Sequence, residues 1–103
     1  TIEIKENIKA LVAKLDKIGT IFDLPAQEKR LQEIEKQISK THFWDDPESG
    51  KTILKERTAI SSIISNFNDL SKDLEDSEVL FELGVEEEDT DAIDEASRQI
   101  NQL

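Results

Sequence analysis

The 103-residue sequence contains no cysteine, no methionine and no tyrosine. Without cysteine there is no disulfide, no thiolate nucleophile and no cysteine-based zinc site. The single histidine, His42, has no second ligand three or four residues away, so neither a Ser-His-Asp arrangement nor a paired-histidine metal site can be argued. The three glycines are isolated from one another, which removes any glycine-rich phosphate loop. No apolar run approaches the ~20 residues of a membrane span, and no secretory signal pattern opens the chain. Period-two alternation is also missing, so no strand is predicted. A soluble, cytoplasmic protein is expected. Because the chain begins at Thr1 and has no methionine, one piece of a longer protein is expected.

Charge is abundant. There are 24 Asp and Glu against 13 Lys and Arg, a net −11. Residues 1–72 hold 12 acids and 12 bases, whereas residues 73–103 hold 12 acids and one base, Arg98. The last 31 residues therefore carry the whole imbalance. Binding to a phosphate backbone depends on Lys and Arg displacing counterions, so direct sequence-specific nucleic-acid binding is not expected. A polybasic membrane anchor is excluded on the same ground. A basic protein partner fits.

Apolar residues make up 36% of the chain, below the roughly 45–50% of typical globular domains, and charged residues also make up 36%. That balance predicts an all-α fold with a thin core: one domain over residues 1–103, an elongated antiparallel bundle of about four helices plus a short helix, with coiled-coil-like packing. Ile4, Ile8, Leu11, Val12, Leu15 and Ile18 form one stripe of a first helix, with Gly19 as its stop. Asp23-Leu24-Pro25 opens a second helix, whose stripe is Leu31, Ile34 and Ile38 and which ends near Lys40. Asp46 and Pro47 open a third. There Ile53, Ile60, Phe67 and Leu74 repeat every seven residues, as in a coiled-coil seam. A break is expected near Asp76-Ser77, which would cap a short helix carrying Val79, Leu80 and Leu83 and ending at Gly84. Glu86 to Asp89 form an acidic connector. A last helix, capped by Asp89 or Thr90, shows Ile93, Ala96, Ile100 and Leu103 on one side, a face expected to continue beyond the chain.

Little here points to catalysis. His42 reads as a loop histidine. Asp45 and Glu48 have capping-box spacing, and with Asp46 they read as helix-start residues rather than paired catalytic carboxylates. Asp89, Asp91, Asp94 and Glu95 lack the glycine and distal glutamate of a calcium loop. Trp44 is expected to close the end of a helical hairpin, and a partner anchor is the other reading. No cofactor, no metal and no catalytic residue is assigned. The seven-residue seam leaves open an unrelated coiled-coil adaptor or dimerisation domain. A hydrolase fragment is a weaker alternative.

The segments Phe43-Trp44-Asp45-Asp46-Pro47-Glu48, Lys55-Glu56-Arg57, Leu80-Phe81-Glu82-Leu83 and Glu86-Glu87-Glu88-Asp89, in that order and spacing, resemble the N-terminal domain of the release factor 2 family of bacterial class-1 peptide chain release factors. The resemblance covers nearly the whole chain, and its most specific element is Phe43, Trp44, Asp46 and Pro47. It implies translation termination by a factor that reads UGA and UAA and triggers peptidyl-tRNA hydrolysis. It also implies a helical first domain near the base of the ribosomal stalk, including protein L11, and linked to the GTPase release factor 3. The Gly-Gly-Gln and Ser-Pro-Phe motifs of the family are not in this sequence, so no catalytic or codon-reading role is transferred. The expected partner-binding residues are Glu86, Glu87, Glu88 and Asp89.

Overall fold

A computed structural model of the chain describes residues 2–103. It is all-α, as expected. The elements are α1 (Ile2–Phe22), α2 (Leu24–Ile38), α3 (Pro47–Glu86) and α4 (Thr90–Asn101), with a single 3-10 turn at Phe43–Asp45 between α2 and α3. No strand occurs among the described residues. Contacts divide the chain into two compact units, Gly19–Phe67 and the pair of segments Thr1–Ile18 and Asn68–Leu103.

Within Gly19–Phe67, one residue makes the reversal from α1 to α2. Asp23 adopts left-handed backbone geometry (φ 49°), and its side chain accepts the Ala26 N–H at 3.4 Å. Pro25 lies in the first turn, where a missing N–H costs no helical bond. The Gln27 amide donates to the Phe22 carbonyl at 3.2 Å, satisfying one of the open acceptors at the end of α1. α1 therefore runs past the stop predicted at Gly19. Gly19 has no positive φ, and its use is steric: a Cβ there would lie 3.2 Å from the Phe67 ring. α3 folds back along α2. Arg30 donates through Nε and Nη2 to both carboxylate oxygens of Glu56, at 2.8 and 2.6 Å, and Arg57 Nε donates to Glu35 at 2.7 Å. Ile34 and Ile60 are the buried residues that mark this unit's core.

The other unit has a core of Ile8, Phe81, Ala96 and Ile100, with Ile4, Leu11, Leu80 and Ile93 packed against it. Burying aliphatic and aromatic side chains of this size contributes ~1.5–3 kcal/mol each. Ile93, Ala96 and Ile100 of α4 pack on α1 and α3 in this core, while Leu103 of the same face is exposed. The expected break at Asp76 does not exist: α3 is one helix of 40 residues, and the short helix of residues 77–83 is part of it. The heptad explains why. Phe81 follows Leu74 by seven, so the seam Ile53, Ile60, Phe67, Leu74, Phe81 continues through the proposed break. Three residues after each of the last two seam positions come Ser77 and Gly84, both buried. The Ser77 hydroxyl shares its proton between the Asp73 carbonyl (2.9 Å) and Gln99 Oε1 (3.0 Å). Asp73 lies four residues back, so the serine bonds within its helix instead of capping a new one.

Gly84 does not end a helix either. A Cβ there would meet Ile93 Cγ1 at 2.9 Å, the Ile93 backbone nitrogen at 3.1 Å and Ala92 Cβ at 3.2 Å. The residue is small so that α4 can approach α3. Ordinarily Gly→Ala inside a helix gains ~1 kcal/mol. Here a backbone atom blocks relief of the clash, so Gly84→Ala is expected to lower stability by ~1–3 kcal/mol in urea unfolding. A second expectation concerns pH. The Arg30 hydrogen bonds hold the Glu56 carboxyl below its ordinary range. A lowered folded-state value adds stability above the usual carboxylate range, and that stability is lost as pH falls through the lowered value. Glu56→Gln is expected to reduce the unfolding midpoint at neutral pH and to flatten its fall on acidification, measured by thermal melts across pH.

Candidate functional site

The structure gathers the four predicted partner-binding acids at the turn between α3 and α4. Glu86 is the last residue of α3, and all four are exposed. Glu88 is left-handed (φ 52°). Its N–H donates to the Val85 carbonyl at 3.3 Å, and that of Asp89 donates to the Gly84 carbonyl at 2.8 Å. This pair of bonds is the Schellman motif, which closes the open carbonyls of a helix end. Asp89 then caps α4, accepting the Ala92 N–H at 3.2 Å. Only Asp89 spends its carboxylate on the turn, whereas Glu88 serves it through its backbone, so the carboxylates of Glu86, Glu87 and Glu88 are not used as caps.

The aromatic motif lies at the other connection, before α3. Asp46 caps α3: its carboxylate accepts the Ser49 N–H at 3.3 Å and its carbonyl the Gly50 N–H at 3.0 Å. Asp45, given capping-box spacing with Glu48 by the sequence, faces the other way and pairs with His42 (Nδ1 to Oδ2, 3.0 Å), both side chains largely exposed. A carboxylate can serve one or the other, and the 3-10 turn rotates Asp45 away from the helix start. Phe43 and Trp44 meet edge to face, ring centroids 4.9 Å apart at 80°. Trp44 is 55% exposed, so it packs with one side and presents the other. A Cβ on Gly50 would stand 2.9 Å from two indole carbons, so the ring rests on the first turns of α3 because position 50 has no side chain. Gly50 was not singled out by sequence reasoning, although a glycine in a helix's first turns, just after a tryptophan, is a readable sign of close approach.

The residues weighed for chemistry can each be placed. His42 touches an exposed carboxylate and no nucleophile. Among the described residues, no three His, Asp or Glu side chains are grouped so as to hold a metal ion. Of the four residues compared with a calcium loop, Asp89 caps α4 and Glu95 pairs with Arg98 and accepts from Gln99 at 3.2 Å. No helix among the described residues is long and apolar enough to cross a membrane. A polar groove of about 420 Å³ lies between α3 and α4, bordered by Asp73, Asp76, Ser77, Gln99 and Gln102. Its buried hydroxyl is already satisfied by the Ser77–Gln99 bond.

Comparison with known proteins matches residues 27–103 to the PCRF domain. The chain belongs to the PCRF domain family. Peptide chain release factor 2 of Shewanella baltica is 34% identical over 100 residues, covering 97% of this chain and 27% of the relative. The same factor of Shewanella woodyi is likewise 34% identical over 100 residues, with the same coverage of both chains. That of a Nitratiruptor species is 35% identical over 91 residues, covering 88% of this chain and 25% of the relative. This PCRF domain spans about a quarter of the length of the curated relatives it matches. The resemblance read from the Trp44 motif and the acidic connector is thereby upheld at the level of the family.

The geometry of the connector separates charge from conformation. Replacing Glu88 by Gly in this PCRF domain removes a side chain from left-handed backbone, which costs an L-residue ~1–2 kcal/mol. Greater freedom of glycine in the unfolded chain takes back part of that. Glu88→Gly is expected to raise stability by up to ~1 kcal/mol despite the loss of a carboxylate, read from urea midpoints.

Proposed function

We propose that the chain is the non-catalytic first domain of a translation-termination factor. On this reading the whole factor reads UGA and UAA and triggers peptidyl-tRNA hydrolysis on the ribosome, with catalysis and codon reading carried by segments outside these residues. The observation that carries it is the alignment of 97% of the chain with release factor 2 sequences, of which it covers only 27%.

The domain's task on this reading is docking near the ribosomal stalk base, on protein L11, with release factor 3 as a further partner of the whole factor. A surface of net negative charge is attracted to a basic protein and repelled by bare RNA. Of the four acids Glu86, Glu87, Glu88 and Asp89, the first three are proposed to lead the contact, since the carboxylate of Asp89 caps α4. The competing adaptor reading needs the α3 seam to be free for a second copy. Ile60, Leu74 and Phe81 of that seam are buried within the chain, which favours the single-chain bundle.

Titration of the full-length factor with L11 bound to stalk-base RNA tests the docking role. Saturable binding is expected, weakened strongly by Glu86→Lys together with Glu87→Lys and less by Glu88→Gly, which removes one carboxylate and keeps the turn. Failure of both the full factor and this domain to bind would reject it.

A further inference from the structure

α3 has a second face that neither the core nor the acidic turn uses. Its buried positions in the last three turns are Leu74, Ser77, Phe81 and Gly84. Directly opposite, at spacings of four, three, one and three, come Glu75, Val79, Glu82, Leu83 and Glu86. Residues three and four apart on a helix lie ~5–6 Å from each other, so these five form one stripe. All are exposed, the two apolar members included: Val79 is 48% and Leu83 51% accessible with the rest of the chain in place. Glu75, Glu82 and Glu86 border the pair on one side and Asp76 on the other, and exposed Lys72, one turn before Asp76, is the base on this face. Single exposed aliphatic residues are ordinary, but a pair one helical turn apart and ringed by four carboxylates has the composition of a recognition surface, an apolar centre with a charged rim.

We infer that this stripe of α3 binds a basic amphipathic helix of a partner protein. Complementarity selects that occupant. The apolar centre takes one or two leucine-sized side chains, and lysines or arginines one turn to either side meet the rim carboxylates. Nucleic acid is excluded by the rim's sign, and so is an anionic lipid surface. A second copy of this chain would set the same carboxylates against each other, because a two-fold interface matches each patch with itself. The inference does not depend on the role in translation, since the stripe lies on the body of α3 and only Glu86 is shared with the turn.

The probe is a synthetic helical peptide of leucine and lysine, with leucines on one stripe and lysines flanking it, titrated into the 103-residue chain and followed by amide chemical shifts. The largest shifts are expected at residues 75–86. Val79→Ser with Leu83→Ser is expected to weaken binding about tenfold or more, as for the centre of an interface. Glu75→Lys with Glu82→Lys is expected to abolish it. Asp91→Lys with Asp94→Lys on α4 makes the same charge change away from the stripe and is expected to leave most of the affinity. The substituted positions on the stripe are exposed, so the fold is expected to survive, checked by helical circular dichroism. Equal weakening by the α4 control, shifts spread over all acidic segments, or indifference to loss of the two apolar side chains would overturn the inference. So would self-association of the chain by sedimentation that disappears in the Val79→Ser, Leu83→Ser variant.

Discussion

The seam of α3 is the constraint on which the other contacts depend. Within one unit Ile60 is buried with Ile34, and within the other Leu74 and Phe81 are buried, all from the same 40-residue helix. A seven-residue repeat sustained through Phe81 holds α3 continuous where polar residues would otherwise invite a break. The seam changes character along its length. Toward its C-terminal end, Ser77 and Gly84 replace bulky residues, and there α4 comes in closely, through Ile93, Ala92 and the Ser77–Gln99 bond. Small residues permit the approach, and dispersion contacts over the short distance stabilise it.

Polar chemistry is spent mainly on ends and reversals. Asp23, Asp46 and Asp89 each accept an N–H in the first turn of the helix that follows. Asp23 and Glu88 take left-handed backbone geometry at the two tightest turns, where glycine is the commoner choice. Carboxylates that look like an interaction patch are thus partly commitments of the fold. In the connector, Asp89 spends its carboxylate on a cap while Glu88 contributes its backbone alone. Along α3, the acids ring an exposed apolar pair instead.

Much of the architecture was legible in the residues. Helix period, proline positions and capping aspartates place α1, α2, α3 and α4, and the Trp44 motif with the acidic run pointed to the right family. The misplaced features share one cause. Gly19, Gly50 and Gly84 look like punctuation, yet all three lie inside helices, where the ring of Phe67, the indole of Trp44 and the backbone of α4 occupy the space a side chain would need. Asp76-Ser77 looks like a cap for the same reason: local propensity cannot register a partner brought in from another part of the chain.

The amino-acid order alone determined the all-α class, the helix starts marked by Asp23, Asp46 and Asp89, and the concentration of negative charge after residue 72, because these follow from period, propensity and formal charge. Tertiary structure decided that α3 is unbroken, that the glycines are contacts and not stops, and which acids are bound into turns and which face solvent. Those outcomes depend on distances between residues far apart in sequence, and such distances exist only once the helices have packed.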